Sequence, residues 1–156
     1  MYHKILAPLD GSTFAECALD HVKAIAKGCA VPEIVLLRVV EPIHSSDLAA
    51  YAEAGIDTAM LMHDVEAGAQ LYIAKMAEEL KKGGLPVRGM VATGWAADSI
   101  ISFAEKENVD LIIMSTHGRS GIGRWFMGSV ADKVVRHSKV PVLTVAPPGC
   151  RVSPAA

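Results

Sequence analysis

The chain is poor in cysteine and aromatic residues and has no marked excess of either charge. Its three cysteines, Cys17, Cys29 and Cys150, are odd in number and show no C-x-x-C spacing, which argues against a disulfide framework or a zinc site. Cys17 falls within a helical pattern and reads as a small core residue. The six histidines contain no H-x-x-x-H pair, so no metal centre is expected. Lysine and arginine number 15 against 17 aspartates and glutamates, a net charge of −2, whereas a general nucleic-acid binder would be broadly basic. No apolar run approaches the roughly 20 residues that span a bilayer. The N-terminus runs directly into a strand pattern, with no h-region or cleavage site. A soluble, cytoplasmic protein is expected, with neither nucleic acid nor membrane as a partner.

Several motifs are also missing. There is no G-x-x-x-x-G-K-[ST], which excludes a P-loop, and Gly121-Ile122-Gly123 lacks the third glycine and the first-strand context of a dinucleotide fingerprint. No G-x-S-x-G elbow is present. Asp10 has no second carboxylate beside it after the first strand, which weakens a phosphoacceptor reading. His117 has no evident nucleophile to serve, and a ligand-facing or packing histidine is the simpler reading.

What is present is a regular alternation over 156 residues, of which 51% are hydrophobic. Short apolar runs at Lys4–Leu9, Ile34–Val40, Val87–Thr93, Val109–Met114 and Val140–Val145 read as strands. Helical patterns at Thr13–Lys27, Thr58–Lys82, Ala96–Glu107 and Ser129–His137 lie between them. The second and fourth runs are almost continuously hydrophobic, as strands covered on both faces should be. This alternation predicts a doubly wound α/β parallel sheet. Thr13-Phe14-Ala15-Glu16 and Ser129-Val130-Ala131-Asp132 read as capping boxes, and Gly83-Gly84 before Pro86 as a helix stop. Pro141 places the fifth run at a sheet edge, since proline cannot donate to a ladder. The segment 42–57 reads as a connection, with a solvated loop weighed against a lid or a dimer contact.

The most informative stretch is Met114 to Ser129. It is a glycine- and hydroxyl-rich loop between a strand and a helix N-terminus, where small residues let backbone amides approach an anion. From Thr116 to Lys139, Arg119, Arg124, Lys133, Arg136 and Lys139 face Asp132 alone, a balance of +4 in a chain that totals −2. A phosphate-bearing ligand is one reading; a common glycine loop with cations answering a helix dipole is the other. In an open parallel sheet ligands bind beyond the carboxyl ends of the strands, where the winding reverses. That places Asp10, in Asp10-Gly11-Ser12, at the same crevice. It either accepts ribose hydroxyls or holds the corner as an Asx turn.

These residues resemble the universal stress protein family over nearly the whole chain, from Tyr2–Ser12 through Gly128-Ser129-Val130 to Pro141–Val145. Its ATP-binding members carry G-x2-G-x9-G-[ST]; Gly118 and Gly128-Ser129 match the second and third parts, and Ser115 stands at the first. The resemblance implies a single domain over 1–146 with a tail at 147–156. The implied fold is an α/β three-layer sandwich around a five-stranded parallel sheet of order 3-2-1-4-5. It implies ATP, with or without Mg, as ligand. Asp10 would hold the ribose, with Pro8, Leu9 and Val39 beside the adenine and Met114 and Ser115 over the sugar. His117, Gly118 and Arg119 would begin the phosphate path, and Gly128, Ser129, Val130 and Ala131 would end it. It further implies a homodimer through the fifth strand and a sensing or transducing role in stress. Because no second acidic residue flanks the loop to hold a metal, slow hydrolysis at most is expected rather than enzymatic turnover. The alternative is a dimeric interaction module without nucleotide, for which Ser115 is the argument. A nucleotidyltransferase is disfavoured because Pro8-Leu9-Asp10-Gly11 occupies the place of its H-x-G-H motif. The protein partner is not identifiable from the sequence.

Overall fold

The computed structural model describes residues 2–116 and 128–146. Its elements run β1 (Lys4–Pro8), α1 (Thr13–Glu16), α2 (Ala18–Gly28), β2 (Glu33–Val40), α3 (Leu48–Glu53) and α4 (Thr58–Lys82). They continue with β3 (Val87–Thr93), α5 (Ala96–Lys106), β4 (Leu111–Ser115), α6 (Ser129–His137) and β5 (Val142–Val145). The five strands form one parallel sheet in the order β3-β2-β1-β4-β5.

Strand alternation divides the core into two layers. Ile5, Ala7, Ile34, Leu36, Leu111 and Ile113 pack against α2 and α4, through residues such as Val22, Ile73 and Leu80. Leu6, Val35, Leu37, Ile112 and Met114 pack on the other face against Ile100 of α5 and Val134 of α6. This is the three-layer sandwich. The helix–sheet contact is close at Gly89 in β3, where a Cβ would stand 3.1 Å from Ile73 Cγ2 and 3.2 Å from its carbonyl oxygen.

Several boundaries differ from the sequence reading, each for a local reason. The expected Thr13–Lys27 helix is interrupted at Cys17, which is half-buried rather than core. Its thiol donates to the Thr13 carbonyl at 3.4 Å, competing with the helical bond to that oxygen. The first cap is Ser12, whose hydroxyl accepts from Ala15 N, so Thr13 opens no capping box; Glu16 instead accepts from the Tyr72 hydroxyl of α4 at 2.9 Å. The last helix is capped by Gly128 rather than Ser129, because Gly128 holds the extended conformation (φ −56°, ψ 148°) that a cap requires. Asp132 then pairs with Arg136 one turn on. The fifth strand begins at Val142, after Pro141, because Val140 N is held by the Ser138 hydroxyl. β4 begins at Leu111, after Asn108 ends α5 with φ +53° and Val109 N returns to Ala104 O. The 42–57 connection contains the short helix α3.

The amino ends of the strands are tied by charge. Lys4 meets Glu33 at 3.1 Å, and Arg88 bridges Glu33 and Glu107 at 2.7 Å each. The Arg88 guanidinium, then Lys4, holds the Glu33 carboxyl below its usual range. Asp110 accepts from the backbone amides of His3 and Lys4 at 2.6 and 2.7 Å, and those two bonds depress its pKa. A carboxylate with a depressed folded pKa contributes stability above the unfolded value of about 3.9, and loses it as pH falls through the folded one. Asp110→Ala should therefore lower the urea midpoint at pH 7, and the gap from wild type should close below about pH 4. A gap unchanged between pH 7 and pH 3 would show that the carboxylate charge plays no part in holding the first strand.

Candidate functional site

At the carboxyl end of the sheet the crossovers from β1 and β4 leave on opposite faces, toward α1–α2 and toward α6. A cavity of about 410 Å³ opens between them. Its apolar side is built by Leu37 and Val39 of β2, Met114 of β4, Ile100 of α5 and Ala131 of α6. Its polar rim carries Asp10, Arg38, Ser115, Thr116 and Ser129.

The Asp10 corner is held tightly. Leu9 N extends the ladder to Leu37 O at 2.9 Å, Gly11 takes the left-handed φ of +84°, and Ser12 starts α1. Asp10 Oδ1 accepts from both the amide (2.9 Å) and the hydroxyl (2.6 Å) of Ser12. The Asx-turn role is therefore present, and it holds the carboxylate where it also lines the cavity.

Opposite Asp10, the glycine-rich loop is pinned at its base. Gly128 N donates to Thr116 O at 2.7 Å, and Thr116 N donates to Val145 O at 2.9 Å. Gly128 brings no side chain to cap α6, and its φ of −56° is one that any residue can adopt. Ser129, Val130 and Ala131, the first turn of α6, line the cavity. A helix N-terminus facing a cavity is suited to an anion.

The structure thus brings Pro8, Leu9, Asp10, Val39, Met114, Ser115, Gly128, Ser129, Val130 and Ala131 around one space. His117, Gly118 and Arg119 lie outside the described residues. The sequence reading missed Arg38, Glu41, Val65 and the α5 contribution of Ala96 and Ile100. Glu41 follows β2 and its carboxylate accepts from Ala96 N, at the start of α5, at 2.9 Å. An acid just past a strand end was the available signal, but nothing in the sequence tied it to a helix 55 residues later.

Comparison with known proteins agrees with this geometry. The universal stress protein family model matches residues 1–146. The chain is 34% identical over 155 residues to universal stress protein MJ0577 of Methanocaldococcus jannaschii, covering 93% of this chain and 95% of that one. The solved structure of MJ0577 matches with a TM-score of 0.79 and 32% identity, over 99% of each chain. A universal stress protein in complex with cAMP shares the fold at TM-score 0.68, 20% identity, and 94% and 98% coverage. So does an Arabidopsis thaliana member with AMP bound, at TM-score 0.61, 17% identity, and 92% and 91% coverage.

Proposed function

The chain belongs to the universal stress protein family, and from that premise we propose that its cavity binds an adenine nucleotide, ATP foremost, as the signal of a stress or energy state. The observation that carries this reading is the polarity of the cavity. An apolar slot between Val39 and Ile100 suits a purine, and the first turn of α6 suits phosphates. Asp10, on the rim with Ser129, suits ribose hydroxyls. The same fold holds cAMP in one relative and AMP in another, so it accommodates adenine nucleotides. Ser115, at the position of the family's first motif glycine, is small, lines the cavity and is only 7% exposed.

The protein binds its nucleotide rather than turning it over efficiently. Rapid phosphoryl transfer needs a metal-holding carboxylate and a positioned base near the γ-phosphate. Asp10 and Glu41, the carboxylates lining the cavity, each hold a backbone amide, of Ser12 and of Ala96. We place the protein in the cytoplasm as a homodimer. β5 is an edge strand whose Val142, Leu143 and Thr144 are only partly buried, and such an edge is a template for pairing with a second copy.

Two outcomes are expected. In calorimetric titration, Asp10→Ala should weaken ATP by about 1.5–3 kcal/mol, the scale of hydrogen bonds to a charged group. It should weaken 2′,3′-dideoxy-ATP much less, and equal losses would leave Asp10 with the turn alone. Leu143→Lys, which brings like charges together across the two-fold axis, should shift a wild-type dimer toward monomer in light scattering. A dimer that survives the substitution would rule out pairing at this edge.

A further inference from the structure

The 28 residues from Glu41 to Gly68 include no buried one, although they contain all of α3 and the first three turns of α4. A helical segment with no fully buried residue gains little from tertiary packing, which supplies most helical stability in globular proteins. This arm nevertheless carries a heavy apolar load. Met60 is 66% exposed, Leu48 44% and Ile56 43%. Tyr51, Leu61 and Met62 are half-buried.

The arm is fixed at its root rather than loosely attached. His44 packs against Trp95 in a tilted arrangement with ring centroids 4.7 Å apart, Glu41 holds the start of α5, and Thr93 donates to Glu66 at 3.2 Å. Asp57 caps α4 by accepting from Ala59 N and Met60 N. The arm is therefore fixed in place while Leu48, Ile56 and Met60 stay exposed to water.

The charge of the arm is one-sided. Between Arg38 and Lys75 the chain has no lysine or arginine, but it has Glu41, Asp47, Glu53, Asp57, Asp64 and Glu66. All six are solvent-accessible. Adaptable methionines and aliphatic side chains in a uniformly acidic setting select a partner that is apolar on one side and cationic on the other. An acidic surface of this kind repels anionic lipid and nucleic acid. A second copy of the same arm would set like charges against each other.

We propose that the arm formed by α3 and the first three turns of α4 is a docking surface for a basic amphipathic helix of a partner protein. Met60, Ile56 and Leu48 would take the apolar face of that helix. The exposed carboxylates of Asp47, Glu53, Asp57 and Asp64 would meet its lysines and arginines. Glu41 and Val65 at the root of the arm also line the cavity, but Leu48, Ile56 and Met60 do not, so the docking surface stands whether or not the cavity binds ATP.

The test uses the full chain and a dye-labelled helical peptide of leucine and lysine, with all leucines on one face. Fluorescence anisotropy should show saturable binding that weakens as salt is raised. Met60→Lys and Leu48→Lys, both at exposed positions, should each weaken the peptide about tenfold or more, the scale of an interface anchor. Asp20→Lys, an exposed acid on α2, should change it little. A peptide of the same composition with its leucines scattered around the helix should bind far more weakly. Equal binding of the scattered peptide, or equal losses from Asp20→Lys and Met60→Lys, would reduce the effect to bulk charge and overturn the proposal. So would light scattering in which Met60→Lys alone dissociates a dimer of the chain, since a second copy would then cover the arm.

Discussion

The site depends on one topological constraint. β1 lies between β2 and β4, and the chain leaves β1 toward one face of the sheet and β4 toward the other. Two right-handed crossovers that diverge in this way cannot both cover the carboxyl edge between them, so a crevice is left there. The residues bordering it are set by strand register. Leu9 N bonding to Leu37 O places Asp10 beside the end of β2, and Thr116 bonding to Val145 sets the base of the glycine-rich loop. The apolar packing that holds the two helix layers in place also shapes the slot, since Leu37, Met114 and Ala131 belong to both core and cavity.

Charge is distributed along the same axis. Lys4, Glu33, Arg88 and Glu107 neutralise one another at the amino ends of the strands, and Asp110 fastens the first strand there through two backbone amides. At the carboxyl end, Asp10 and Glu41 each hold a corner while lining the cavity. In sequence, the basic residues gather between Thr116 and Lys139, and the acidic ones between Glu41 and Glu66. The chain of nearly neutral total charge thus carries two stretches of opposite character, one between β4 and β5 and one forming the arm.

Much of this was legible in the sequence because it depends on local rules. The near-continuous apolar runs of β2 and β4 announced strands covered on both faces, and Pro141 announced an edge. The bounds of α4 and α6 were read correctly at Thr58–Lys82 and Ser129–His137. Caps were less legible, because Ser12 competes with Thr13, and Gly128 with Ser129, for adjacent positions, and backbone conformation decides between them. Residues at the site that belong to distant elements were missed. Arg38 alternates out of a hydrophobic strand, Val65 sits two turns inside a long helix, and Ile100 is an ordinary core position of α5. Only the folded sheet brings them together with Asp10 and Gly128.

The central claim is that this crevice holds an adenine nucleotide. It is tested most directly by heat-denaturing the purified protein, separating the released small molecules by chromatography, and titrating the nucleotide-stripped protein with ATP. The account predicts released adenine nucleotide, or saturable ATP binding near one per chain. Protein that releases no nucleotide and takes up no ATP would contradict it.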